Sequence, residues 1–301
     1  MKRIISLIIA AVIFIISLTC YISVGKSEIP AFGRDYAILR IFDRDGMTMS
    51  EISNIRFAAE AASTADVEQD GRLWCDAYSY FTEVYVSRPD SNGINCNAVV
   101  TGGDFFLFHD LDFKSGWYYT DTDLHLDRVV IDEKLAFELF GSNYVEDMKL
   151  TLGGKTFYVA GVVALDESRA KEMQMGDKPM IYIPQYIAEG SFGERAFDHY
   201  EIMLQNPVKG HAVNSLATVT EGKETVDVTN RYGIGRIFGI LKEFPTRSYR
   251  SDAVTYPYWE NADRGTEDVL ALLLVVNTVT LLALIIQLVI FIIGITERKK
   301  R

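Results

Sequence analysis

The chain has 301 residues, 49% of them hydrophobic and 24% charged, with a net charge of −11. The charged residues at its two ends (Lys2, Arg3, Glu297, Arg298, Lys299, Lys300 and Arg301) sum to +5, leaving −16 on the stretch between. Phosphates are repelled by such a stretch, which argues against nucleic acid or an anionic lipid surface as its partner.

Residues 4–24 form an uncharged apolar run of 21 residues. At about 1.5 Å per residue it spans a hydrocarbon core of about 30 Å. A cleaved signal peptide also starts with positive charge and an apolar stretch. This run is longer than a usual signal core, no small-x-small site precedes Gly25, and Ser17, Leu18 and Thr19 poorly match a lipoprotein signal ending at Cys20. A retained helix is therefore expected.

Residues 36–42 read as a strand. Thr48, Met49, Ser50 and Glu51 then form a capping box that opens a helix towards residue 65. Two β-rich stretches, 74–86 and 94–100, flank the turn formers Pro89, Asp90, Ser91, Asn92 and Gly93 and predict a hairpin. Cys75 and Cys96 fall out of register across a hairpin turning near Asp90, so a bond between them is not expected. The aromatics Phe105, Phe106, Phe108, Phe113, Trp117, Tyr118 and Tyr119 follow, and core or subdomain seam is the expected role rather than a ligand platform.

The stretch 128–184 is the most informative. Val129, Val130 and Ile131 read as a buried strand, and residues 132–140 place Leu135, Ala136, Leu139 and Phe140 on one helical face closed by Gly141. Met148, Leu150 and Leu152 alternate, Gly153 and Gly154 supply a hairpin turn, and Phe157, Val159, Gly161 and Val163 alternate on the return. A strand over 180–183 ends at Pro184. Strands are expected at 200–204 and 225–228, with helices at 208–219 and 234–244.

The second uncharged run, residues 269–295, has 27 residues and exceeds a bilayer's need, so it is expected to tilt or to continue outside as a stalk. Basic residues cluster on the terminal sides of both runs, which places both termini in the cytoplasm. The expected class is an α+β extracytoplasmic domain, built as one unit or as two interleaved subdomains, between two transmembrane α-helices. Its expected limits are 1–28 for the N-terminus and first span, 29–265 for the core, 266–296 for the second span and 297–301 for a basic tail.

Gly154-Lys155-Thr156 lacks the phosphate loop's first glycine, because that position is Lys149; Gly233, Gly235 and Gly239 miss the dinucleotide spacing at Phe238. His109, His125, His199 and His211 show no metal-ligand spacing. Asp43, Asp45, Asp121 and Asp123 lack the remaining calcium-loop ligands. No Gly-x-Ser-x-Gly elbow is present. No catalytic residue, cofactor or metal is expected. Inside the second span, Asn277 and Gln287 lie ten residues apart on nearly one face and are expected to contact another helix, either the first span with its Ser6, Ser17 and Thr19 or another protein.

The order of pieces in 129–141, 148–152, the Gly153-Gly154 turn, 157–163 and the strand ending at Pro184 resembles the extracytoplasmic core of MacB/FtsX-type ABC transporter permeases. Thr296, Glu297 and Arg298 are similar to the start of that family's cytoplasmic coupling segment. The resemblance implies a permease-side subunit that hydrolyses nothing itself and couples a cytoplasmic ABC ATPase to movement of its outer domain. Full-length members continue into a coupling helix and two further spans, so a second membrane subunit or a second copy is the expected partner. The other class left open is a membrane-anchored binding or sensory module working without an ATPase.

Overall fold

The structure, a computed structural model, describes residues 2–25, 35–63, 73–89, 91–120, 123, 126–229, 231–247 and 256–299, without the side chains of 2–4, 244–247, 294–295 and 297–299. The chain divides into two units. A helical unit comprises Met1–Ile29, Asn230–Asp252 and Glu260–Arg301, and a sheet unit comprises Pro30–Thr229 and Ala253–Trp259.

The first apolar run forms helix α1 (Lys2–Val24). The sheet unit opens with strand β1 (Tyr36–Met47) and helix α2 (Met49–Ser63). Here the capping box is complete. Glu51 N–H donates to Thr48 Oγ1 at 3.3 Å, and Thr48 N–H donates back to Glu51 Oε2 at 2.9 Å. The Thr48 N–H, followed by Lys223, lowers the Glu51 carboxyl to about 2. Thr48→Ala is expected to cost about 1 kcal/mol, read from heat unfolding of the detergent-solubilised chain. No change in the midpoint would show that the cap is energetically idle.

Strands β2 (Cys75–Ser87) and β3 (Ile94–Gly103) form the expected hairpin, with Val84 opposite Cys96 and Cys75 opposite Met203 on another strand. The two cysteines are accordingly not joined to each other, and both are buried. A short helix α3 (Phe105–Phe108) and strand β4 (Phe113–Gly116) follow, then β5 (Arg128–Asp132) and helix α4 (Glu133–Phe140). Asp132 caps α4 by accepting from Leu135 N–H at 2.8 Å, and Gly141 ends it at φ +75°. Strands β6 (Lys149–Leu152) and β7 (Lys155–Val163) turn at Gly153 and Gly154, both at positive φ.

Helix α5 (Arg169–Met175), strand β8 (Met180–Pro184), helix α6 (Gln185–Phe192) and strand β9 (Phe197–Gln205) come next. The helix expected at 208–219 is the shorter α7 (His211–Leu216). Gly210 at φ +85° starts it late, and the residues after Leu216 close in turns. Strand β10 (Glu224–Asp227) completes the unit.

The described strands run in one ten-stranded mixed sheet, ordered β10-β1-β9-β2-β3-β8-β5-β7-β4, with β6 pairing β2 and β7. Alternation along the central strands sorts side chains to its two faces. Ala98, Val100, Val129, Ile131, Ile181 and Ile183 join the core that packs Ile52, Ile55, Leu135, Ile187 and Leu216 of the helices. Val99, Val130 and Tyr182 belong to a second core with Phe105, Tyr119 and Tyr258. Of the aromatic segment, Phe105 and Tyr119 are buried in this core and Phe106, Phe108 and Phe113 pack against it, whereas Trp117 is 63% exposed.

The helical unit adds α8 (Ile234–Arg247) and α9 (Tyr258–Lys299). Two described helices, Ile5–Val24 and Tyr258–Ile293, are long and apolar enough to cross a membrane. Helix α9 begins well before its apolar run and continues into it without a break, over 42 residues or about 63 Å at 1.5 Å per residue.

Candidate functional site

In the sheet unit the chemistry-bearing side chains are engaged in structure. His109 Nε2 lies 2.6 Å from Glu201 Oε2, and Arg40 Nε donates to Glu201 Oε1 at 2.7 Å. Burial alone would raise the Glu201 carboxyl; His109 and Arg40 outweigh it and hold it at about 2. Phe105 and Trp259 pack on the His109 ring at 4.3 and 4.5 Å. His125 and Asp121 lie outside the described residues. Among those described, no group of three or more His, Cys, Asp or Glu could hold a metal.

The loop carboxylates shape turns. Asp43 accepts from Asp45 N–H at 3.1 Å and pairs with Lys223, and Asp123 accepts from Thr120 N–H at 2.9 Å. Lys155 Nζ, next to the Gly153-Gly154 hairpin turn, donates to the Gly190 carbonyl at 2.6 Å. Gly233 starts α8, its carbonyl accepting from Arg236 and Ile237 N–H at 3.0 Å.

The densest electrostatic arrangement lies in the helical unit. Glu260, Asp263, Arg264 and Glu267 are spaced i, i+3, i+4 and i+7 along the first turns of α9, which puts them on one face. Arg231, 1% exposed, is held among them. Its Nη1 and Nη2 each donate to Glu260 at 2.7 Å, its Nε donates to Glu267 at 2.9 Å, and Asp263 lies 3.4 Å away. Glu260 and Glu267 are themselves 0% and 1% exposed. Arg264 donates to Glu260 at 2.8 Å and Arg236 to Glu267 at 3.3 Å. Tyr232 donates to Asp263 at 2.9 Å, and burial, then Asp263, pushes its hydroxyl up. Three guanidinium groups thus meet three carboxylates on one helix face. The planar fork of Arg231 serves two acids at once, which a lysine ammonium would not do with the same geometry.

Immediately beyond this cluster Ile237 and Ile240 of α8 pack on Leu270 and Ala271, with Tyr21 of α1 against the same group. A Cβ at Gly25 would lie 3.7 Å from Leu270 Cδ2. Ser17 and Asn277 are buried at 6% and 8% exposure and Gln287 is half-buried, and neither Asn277 Oδ1 nor Gln287 Oε1 has a hydrogen-bond partner among the described residues. Thr296 is exposed and its hydroxyl donates to the Ile292 carbonyl at 2.9 Å. The backbone of Glu297 and Arg298 continues α9, and their side chains lie outside the description.

The Arg231 cluster escaped sequence reading because its partners lie 29 to 36 residues apart. A signal was present: acids at helical spacing directly before an apolar run mark a helix that starts early and needs a basic partner.

The sequence profile of the MacB-like periplasmic core domain matches residues 4–231. Among curated proteins no relative matches. Solved structures similar to the chain include the extracellular domain of the noncanonical ABC-type transporter YknZ from Gram-positive bacteria, at 15% identity and TM-score 0.43, covering 64% of this chain and 100% of that one. The periplasmic region of MacB from Actinobacillus actinomycetemcomitans is 14% identical with TM-score 0.46, covering 75% and 99%. A domain of a permease protein from Porphyromonas gingivalis is 14% identical with TM-score 0.39, covering 66% and 90%.

Proposed function

The chain belongs to the MacB-like periplasmic core domain family of ABC transporter permeases, and from that premise we propose that it is a permease-side membrane subunit relaying the work of a cytoplasmic ABC ATPase to its outer domain. In this reading residues 29–265 lie outside the membrane, 266–296 recross it, and both termini are cytoplasmic. The subunit hydrolyses no nucleotide itself. A second membrane subunit or a second copy of the chain completes the assembly, with Thr296, Glu297 and Arg298 at the cytoplasmic coupling end.

The observation that supports the reading is the unbroken α9. One helix carries both the Arg231 cluster and the membrane run, so a displacement of the span moves the cluster with it. In this reading Asn277 and Gln287 mark the face of α9 that meets the second subunit or a second copy of the chain.

Gentle detergent purification followed by identification of co-purifying chains tests this. An ABC ATPase and a membrane subunit are the expected companions, and consistent recovery of the chain alone would overturn the assignment. Asn277→Leu with Gln287→Leu is expected to lower recovery of the second subunit several-fold while leaving insertion intact, since interhelical amide bonds contribute about 0.6 to 2 kcal/mol each. Undiminished recovery would remove these two residues from the interface.

A further inference from the structure

Helix α8 lies beyond residue 231, where the family match ends. Its apolar residues occupy a face wider than its protein partner covers. At 100° per residue, Ile240, Ile237, Leu241, Ile234 and Phe238 follow one another around about 160° of the helix. The Ile240 and Ile237 side of this face is buried against Leu270 and Ala271 of α9. The other side is open, with Ile234 66% and Phe238 57% exposed. Glu243, on the opposite side, is exposed as a polar residue should be.

The position of the open side decides its occupant. Leu270 and Ala271, on which α8 packs, are the second and third residues of the uncharged run, so α8 sits at the level where α9 passes from its charged turns into its apolar span. The exposed Ile234 and Phe238 therefore continue an apolar surface that is already committed to lipid. Lys242 stands with its ammonium 5.7 Å from the Phe238 ring centre, at the border of the apolar face. A long basic side chain there can leave its stem on the apolar surface and its charge among phosphates. The helix carries Arg236, Lys242 and Arg247 against Glu243, a basic island in an acidic chain. Helices of this kind lie in the plane of the interface with the apolar face about 5 to 10 Å into the headgroup and acyl boundary.

We propose that α8 is an interfacial helix whose Ile234 and Phe238 insert into the outer face of the phospholipid bilayer beside the second span, with Lys242 at the headgroup phosphates. The proposal rests on the reading of residues 269–295 as a membrane span.

The test uses the full chain carrying Cys20→Ala, with a nitroxide attached at Phe238→Cys, reconstituted in phosphatidylcholine vesicles. Cys75 and Cys96 are buried and stay silent, as unlabelled controls will verify. Collision with oxygen, which partitions into lipid, is compared with collision with a water-soluble nickel chelate. The oxygen-to-nickel ratio is expected to be several-fold higher at Phe238→Cys and Ile234→Cys than at Glu243→Cys. Ile285→Cys, inside the apolar run, supplies the reference for a buried span. If Ile285→Cys favours oxygen while Phe238→Cys and Glu243→Cys are equally open to nickel, the interfacial helix is refuted and the span stands. If Ile285→Cys is itself open to nickel, the membrane reading has failed and the proposal falls with it.

Discussion

Arg231→Met is expected to destabilise the protein by about 3 to 5 kcal/mol, more than any other single change in the helical unit. The substitution keeps an apolar stem of similar reach and removes the charge, leaving the buried Glu260 and Glu267 without their shared guanidinium. Removing one partner of a buried ion pair costs this much because the remaining charge is desolvated and uncompensated. Arg264 and Arg236 still reach one acid each, which puts the outcome at the lower end of the range. Arg231→Lys is expected to recover little, since one ammonium does not reproduce a fork that engages Glu260 twice and Glu267 once. Adding Glu260→Gln and Glu267→Gln to Arg231→Met should recover much of the loss, because the two fully buried carboxylates are then neutral and the arginines they leave, Arg264 and Arg236, are partly solvated. Heat and denaturant unfolding in detergent measure all three. A loss below about 1 kcal/mol for Arg231→Met would show that the cluster is solvated and structurally minor.

The second large effect concerns Glu201 and acid. Its folded pKa of about 2 lies below the ordinary glutamate value of about 4.3 in an unfolded chain. A depressed carboxylate contributes stability that is fully present above about pH 4.3 and is lost as pH falls through about 2. At about 1.4 kcal/mol per unit the contribution is about 3 kcal/mol. Glu201→Gln is thus expected to be about 3 kcal/mol less stable than the native chain at neutral pH, where Arg40 and His109 lose their common carboxylate. The gap should close as the pH approaches 2. A difference independent of pH would mean that lost packing, not charge, is responsible.

Much of the fold could be read locally because its determinants are local. The Thr48 and Glu51 capping box, the Asp132 cap with Gly141 at the other end of α4, and the Gly153-Gly154 turn each place donor, acceptor and backbone freedom within a few residues. The hairpin of β2 and β3 was legible for the same reason, and its register keeps Cys75 and Cys96 apart. Sheet order was not. Strand β9 lies between β1 and β2, a pairing that joins Tyr36 to Gln205, and no spacing rule signals contact over such a distance. Helices α5 and α6 are short and depend on their neighbours more than on propensity. The start of α9 was missed because residues 258–268 are polar and a hydropathy reading sees the apolar part alone. Asn277 and Gln287 could be singled out from chemistry, whereas the Arg231 cluster needed the approach of two segments that are distant in the chain.

The two ends of the sheet bear on how such molecules share a membrane. Proteins confined to a plane meet one another repeatedly in similar orientations, and open strand edges at matching heights would invite lateral annealing into continuous sheets. Strands β10 and β4, which end the sheet among the described residues, have four residues each, and β4 meets its neighbour through a register shift between Phe113 and Ser115. Each border therefore offers a short ladder for a neighbouring copy, and the second is also irregular. Short, irregular rims of this kind disfavour edge-to-edge pairing between neighbouring copies.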